Sequence, residues 1–426
     1  MSPRPISGST PAPRPNGSAK HATMSEGTSG PPEPKPTLFP PTARPANACY
    51  KDSPNPTRTD DFTPAAPPRP NDGLIRAQTR SLLARALLPK PKRLLVVMWD
   101  PHRKGQGRTL TPAQVDKALF GGQASSLREY YKAQSGGRAA IDKVAVLGFY
   151  DADKPADHYW KHPATANDGF DDGHVEKWAE ALTKADARVD FASFDDNRDG
   201  KLSPNELGIL IVIPQKQPFG TNRGAEGPRH TPLVLDGVKI GQIAEVYLPS
   251  PTNDGVVRHE VGHLFFGFPD LYGNNKYPNN AAGPYSVMDV TYPDAQVDAP
   301  LRLKQGWVQA KGIKASGAYE LDSVEKSREV LTYQRPGSKP PEYFVIEKRV
   351  PGTYDRDLRK PGIVVWRVVD DGNPQNTYRV KPGGKEAWPT NRKLAPFELT
   401  WADGKSSGVK LAYDPKRPGH VDVTVK

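Results

Sequence analysis

His259-Glu260-Val261-Gly262-His263 is the stretch on which the reading of this chain turns. Residues four apart on an α-helix project from one face, so two imidazoles at this spacing can share one divalent ion while the glutamate between them stands beside the ion's open position. The flanks suit a helix. Val256, Val257, Val261, Leu264 and Phe265 give it an apolar face, Asp254 with Gly255 starts it, and Gly267 and Pro269 stop it soon after the second histidine. The pattern assigns His259 and His263 as zinc ligands and Glu260 as the general base of a hydrolase. A buried helix whose histidines only pack or cap is the plain alternative.

Around this helix the pattern alternates. Residues 94–99 form a short apolar run of the buried-strand kind, and strands are also expected at 144–150, 207–213 and 243–248. Thr111 as N-cap with Pro112 predicts a helix to Phe120. Ser126 opens another that Ser135-Gly136-Gly137 closes, and helices are expected at 174–187 and 74–88. Beyond Trp307 the sequence changes to turn-punctuated, β-branched and aromatic runs at 342–347, 362–368 and 421–425.

The chain has 426 residues, of which 36% are hydrophobic and 47 are proline. That excess of proline collects in the first seventy residues, which lack any apolar periodicity to offset the entropy of ordering. The expected organisation is therefore a disordered Pro-rich leader at 1–72, open to being a pro-segment, then a zinc peptidase domain at 73–315 and a β-rich module at 316–426. No apolar run follows Met1 as a conventional secretion signal requires, and no run is long enough to span a membrane. A net charge of +11 is spread along the chain without an aromatic-basic motif, which argues against a specific nucleic-acid partner. Cys49 is the sole cysteine, so neither an intrachain disulfide nor a four-thiolate metal site can form. It is either an unpaired tail thiol or a thiolate that plugs the metal's open position before activation.

Residues 195–206 carry a second metal pattern. Asp195, Asn197, Asp199, Gly200 and Glu206 match a twelve-residue calcium loop at its fixed positions, with Ser203 and the Lys201 carbonyl completing the set. An apolar strand follows where a paired calcium hand would have its exiting helix, so the expectation is a lone structural calcium site, with an ion-free polar turn as the alternative.

With these residues in view, the chain resembles the immune inhibitor A family of secreted zinc metallopeptidases, which belong to or border the metzincins. The similarity runs over most of residues 90–372. It includes Phe120-Gly121, the Ser126-Leu127-Arg128-Glu129-Tyr130-Tyr131 helix with Ser135-Gly136-Gly137, and Pro269-Asp270-Leu271-Tyr272 after the zinc helix. Tyr285-Ser286-Val287-Met288 resembles the methionine turn, and Gly306-Trp307 the family's Gly-Trp segment. The resemblance implies an α+β, metzincin-like domain with a mixed sheet and active-site helix, secretion, a peptide or protein substrate, and Met288 as a floor beneath zinc. It also implies that residues 243–248 line the cleft as an edge strand.

One departure matters: Gly267 and Asp270 stand four and seven residues after His263, one more than the family pattern. One extra helical residue swings the following chain by about 100°. Asp270 is then the third zinc ligand if the loop absorbs the residue; otherwise Asp289 or Asp294 serves and Asp270 caps the loop. Tyr272, Tyr285 and Tyr292 are each candidates to stabilise an oxyanion. The expected function is zinc-dependent endopeptidase. The alternatives are a calcium-stabilised binding or adhesion protein with a degenerate peptidase domain, and zinc hydrolysis of a non-peptide substrate.

Overall fold

Strand outweighs helix among the described residues of this mixed α/β chain, 37% against 23%, and the strands fall into several sheets. The computed structural model describes residues 90–101, 108, 110–160, 172–214, 219–224, 226–227, 231–248, 254–271, 282–289, 295–356, 358, 360–372, 377–380, 387, 391 and 393–426. The expected leader, the helix at 74–88 and Cys49 lie outside these residues.

Helices α1 (Pro112–Phe120), α2 (Leu127–Ser135), α3 (Asp172–Asp186), α4 (Asp254–Phe266) and α5 (Ala299–Lys304) position the site. Thr111 and Gln114 form a reciprocal capping box on α1, with Pro112 in its first turn. The Ser126 hydroxyl accepts the Glu129 N–H to cap α2, and left-handed Gly136 ends it.

The first sheet joins β1 (Lys92–Asp100), β2 (Ile141–Asp151), β3 (Gly208–Pro214), β4 (Phe219–Gly224) and β5 (Gln242–Leu248) in the order β2-β1-β3-β5-β4. All are parallel except β4, which runs antiparallel at the edge. Parallel strands read as unbroken apolar runs because both faces are covered. Leu94, Val96, Met98, Leu210, Val212 and Val246 face one core with α4, whereas Leu95, Val97, Trp99, Ile209, Ile211 and Ile243 face a second core with α3. The strand expected to form the edge, 243–248, is β5, bonded on one side to β3 and on the other to β4. The edge position belongs to β4.

A second sheet has the order β6-β8-β9-β10-β11, formed by β6 (Gln309–Gly312), β8 (Glu329–Gln334), β9 (Glu342–Arg349), β10 (Gly362–Val369) and β11 (Thr377–Val380). A third has the order β7-β14-β13-β12, formed by β7 (Gly317–Glu320), β12 (Leu394–Thr400), β13 (Ser406–Tyr413) and β14 (His420–Val425). Alternation along β9 and β10 makes the second sheet a middle layer. Val345, Val364 and Trp366 join the core that holds α4, while Phe344, Ile346 and Val365 pack against Leu399, Val409 and Leu411 of the third sheet. The C-terminal half is rich in strand. Its first strand starts at Gln309, and the described residues belong to one compact unit. Among the described residues no helix is long and apolar enough to cross a membrane.

A buried ion pair lies between α3 and the first sheet. Lys177 donates to Glu245 at 2.8 Å and to the Tyr247 hydroxyl at 2.7 Å, and the Trp178 indole N–H donates to the other Glu245 oxygen. Both charged side chains are at most 1% exposed. Removing one partner strands the other charge away from water, so Lys177→Met is expected to cost about 3–5 kcal/mol. Lys177→Met/Glu245→Leu should cost much less than the two single changes added. Urea melts of the cycle check this, and additive costs would contradict it.

Candidate metal centre

Helix α4 lies with Val257, Val261, Leu264 and Phe265 buried in the core beneath the first sheet. Two glycines allow its close approach. A Cβ at Gly208, the first residue of β3, would sit 2.3 Å from the Phe265 ring. A Cβ at Gly262 would meet the Tyr131 hydroxyl at 3.0 Å and the Met288 sulfur at 3.1 Å. Met288 is fully buried, with its sulfur against the helix at Gly262. Tyr131, from α2, donates its hydroxyl to the Arg258 carbonyl at 2.5 Å and ties the helix to its neighbour.

The end of the helix decides where Asp270 goes. Gly267 adopts φ +59°, the left-handed conformation that reverses a chain at a helix C-terminus. Its N–H bonds the His263 carbonyl at 3.1 Å, and the Phe268 N–H reaches back to Gly262 at 3.3 Å. Phe268 then buries among Phe266 and Trp307, with ring centroids 5.5 and 5.7 Å away. The Leu271 N–H bonds the Met288 carbonyl at 2.8 Å, which fixes the chain on the far side of Asp270. Between these anchors, Asp270 Oδ1 lies 2.9 Å from His259 Nε2 and 3.1 Å from His263 Nε2. The extra residue is absorbed in the turn, and the three side chains meet.

Their chemistry follows from the opposite edges of the rings. His259 Nδ1 lies 2.9 Å from the Val287 carbonyl, and His263 Nδ1 contacts the Phe268 carbonyl. A carbonyl only accepts, so each Nδ1 carries the hydrogen and each neutral ring presents the lone pair of Nε2. These two nitrogens are 3.0 Å apart and both face a carboxylate oxygen. Three side chains able to donate electron pairs thus converge, an arrangement suited to a cation. In a tetrahedral shell with ligand bonds of about 2.0–2.1 Å, neighbouring donors stand about 3.3 Å apart. The residues present fit a zinc ion. Among the described residues this is the one group of three His, Cys, Asp or Glu side chains whose donor atoms lie within 4.8 Å of one another.

Without a metal, a proton answers the same demand. Burial opposes charge on His263, yet the Asp270 carboxylate, the Glu260 charge and the Phe268 carbonyl outweigh it and push the imidazole up to about 9. Burial likewise opposes charge on Asp270, but the two imidazoles hold its carboxyl far below the usual range. His259 is fully buried, while His263 and Asp270 keep 11% and 21% of their side chains exposed, so the cluster opens on their side. Glu260 is buried beside it.

The other expected site residues are placed elsewhere or differently. Asp289 accepts the Gly283 N–H at 2.6 Å and serves the turn it belongs to. Tyr285 donates to the Lys360 carbonyl at 2.7 Å and is fully buried, so it is not an oxyanion donor to this cluster. Asp294, Tyr272 and Tyr292 lie outside the described residues. In the 195–206 loop, Gly200 and Arg198 take positive φ, and the acidic side chains accept amide hydrogens of the loop. Glu206 closes it from the far end, accepting from Asn197 N–H at 3.3 Å and from Ser203 N–H and hydroxyl at 3.0 and 2.9 Å. Asp195, Asp199 and Glu206 do not converge as the histidine cluster does.

Sequence reasoning passed over Arg349, Asp355 and Gln296, which are buried behind the methionine turn and bonded to it or to one another. No spacing signal marks them. It also passed over Glu245, although a carboxylate inside an apolar strand buried on both faces announces a partner. No model of a known protein family matches the chain, and no curated protein matches it.

A pH dependence follows. The folded value of His263 lies above its unfolded value of 6.5, so in metal-stripped protein its contribution is fully present below pH 6.5 and is lost as pH rises through about 9. The shift is worth roughly 3 kcal/mol. The Asp270 contribution is lost only in acid and stays constant over this window. Melting temperature in chelator should therefore fall between pH 6.5 and 9, and saturating zinc should flatten the fall because Nε2 then holds no proton. Parallel curves with and without zinc would refute the assignment.

Proposed function

We propose that the chain is a zinc-dependent endopeptidase of metzincin-like build, resembling the secreted immune inhibitor A peptidases. The observation that carries the reading is the convergence of His259 Nε2, His263 Nε2 and Asp270 Oδ1, with both ring tautomers set by backbone carbonyls. These three residues would hold the ion. Bound there, zinc supplies a Lewis acid that lowers the pKa of water toward neutrality and polarises a peptide carbonyl.

The residues of the chain do the rest. Glu260 follows His259 on the same helix, and its charge is felt at His263. Its carboxylate takes a proton from the attacking water and returns it to the departing amine. The Val287 and Phe268 carbonyls hold the imidazoles in orientation through the reaction, and Met288 excludes water from beneath them. Strand β4 is the sheet edge nearest α4, and its antiparallel direction suits an extended peptide added alongside it. The close approach of Asp270 to both imidazoles supports the peptidase reading over an adhesion protein with a degenerate peptidase domain. A structural calcium ion at 195–206 remains part of the reading, supported by the ligand pattern and by positive φ at Gly200.

Glu260→Gln should bind zinc like the parent and lose peptide hydrolysis by about a hundredfold to ten-thousandfold, whereas His263→Ala should lose zinc itself. Metal analysis beside casein cleavage reads both. Full cleavage by Glu260→Gln would reject the mechanism, and zinc without cleavage of any peptide would favour a non-peptide substrate. For the loop, a calcium-selective chelator should lower the melting temperature, corresponding to about 2.7 kcal/mol when calcium had been present at a hundred times its dissociation constant. Asp199→Ala should abolish that sensitivity, and an unchanged response in this variant would remove calcium from the loop.

A further inference from the structure

The methionine turn is held from behind by the C-terminal half of the chain. Arg349, the last residue of β9, is fully buried and forks onto both oxygens of Asp355 at 2.6 and 2.7 Å. Its remaining nitrogen, Nη1, donates to the backbone carbonyl of Tyr285 at 2.6 Å, 64 residues away in sequence. Asp355 also accepts from the Gln296 side chain at 2.9 Å, and the backbone carbonyl of Gln296 accepts the Val287 N–H at 2.9 Å. The turn is thus gripped at two backbone groups, the Tyr285 carbonyl directly and the Val287 N–H through Gln296. Its free carbonyl, that of Val287, is the acceptor that fixes the tautomer and ring plane of His259.

This geometry is costly to build. Asp355 takes φ +62°, a conformation that non-glycine residues adopt only when surroundings enforce it. The planar guanidinium spends two parallel bonds on Asp355 and still directs a third at Tyr285, a division of donors that a lysine ammonium cannot copy. A pair needed only to close the connection between β9 and β10 has no need of a bond to the methionine turn. From the hydrogen bonds we infer that Arg349 is a positioning residue for the metal centre, and that the C-terminal β-layer is a component of that centre. The inference rests on the metal-site reading above, and it deepens it by making ion affinity depend on a side chain that contacts neither the ion nor its ligands.

Removing an outer hydrogen-bond partner of a metal-ligating histidine typically lowers affinity ten- to a hundredfold. The test uses the full chain with Arg349→Met, and with Arg349→Met/Glu347→Gln/Asp355→Asn, which removes the guanidinium together with both buried carboxylates that pair with it. Leu411→Ala in the outer core is the control for destabilisation without contact to the turn. Zinc affinity is measured by chelator competition well below each melting temperature, and exchange of the His259 Nδ1–H is followed by NMR in metal-stripped protein. The expected result is a ten- to hundredfold loss of zinc affinity and at least tenfold faster exchange in both Arg349 variants, with parent values in Leu411→Ala. Parent-like affinity and exchange in whichever Arg349 variant folds would overturn the inference, as would an equal loss in Leu411→Ala at equal destabilisation. If the parent itself binds no zinc, the peptidase reading falls, and His259 exchange alone still decides for or against the role of Arg349.

Discussion

Two hydrogen bonds from imidazole Nδ1 to backbone carbonyls govern the rest of this structure. Had His259 met a donor instead of the Val287 carbonyl, its hydrogen would sit on Nε2 and point at Asp270, and the cluster would be an ordinary hydrogen-bonded trio. With carbonyls on the outer edge of both rings, the two Nε2 atoms lie 3.0 Å apart and both face the Asp270 carboxylate. The raised His263 pKa and the close approach of the three side chains are two expressions of one constraint, a carboxylate held between two imidazoles.

The scaffold is organised to keep those carbonyls where they are. Phe268 offers its carbonyl because Gly267 reverses the chain and because its ring is wedged among Phe266 and Trp307. Val287 offers its own because the turn around it is bonded on both flanks, to Leu271 through Met288 and to Gln296 through its N–H. Glycine at 208 and 262 lets the helix sit close enough for both bonds to form. The first sheet contributes rigidity instead of ligands, with one face packed on α4 and the other on α3.

Much of this was legible in the sequence, for reasons that can be named. The strand runs at 94–99 and 207–213 were readable because parallel strands buried on both faces need continuous apolar residues, and they appear as β1 and β3. Helices α1 and α2 were readable from their caps, where local chemistry alone sets the boundary. The paired histidines needed only the helical period. Strand order was not legible, because it depends on which runs meet in space, and residues 243–248 were accordingly placed at an edge that β4 occupies. The β-rich region was read as a module at 316–426 for a similar reason: alternation along β9 and β10 shows two buried faces but not that one of them belongs to the core that holds α4. Arg349 and Asp355 were silent because a six-residue spacing carries no periodic signal and their other partners, the Tyr285 carbonyl and the Gln296 side chain, are remote in sequence.

The position of Asp270 shows how a helix and a loop divide the work of a metal site. His259 and His263 are spaced by the helix itself, so an added residue between them would have destroyed the pair outright. Beyond Gly267 the chain is set by anchors instead of period: a left-handed residue, a buried Phe268 ring, and the Leu271 N–H on Met288. A segment fixed at both ends can take up one residue in its bend while returning the same side chain to the same place. The loop ligand is also the most exposed of the three, at 21% against 0% and 11% for the histidines. The arrangement is thus stiffest where the imidazoles must converge and most open where a substrate would have to arrive.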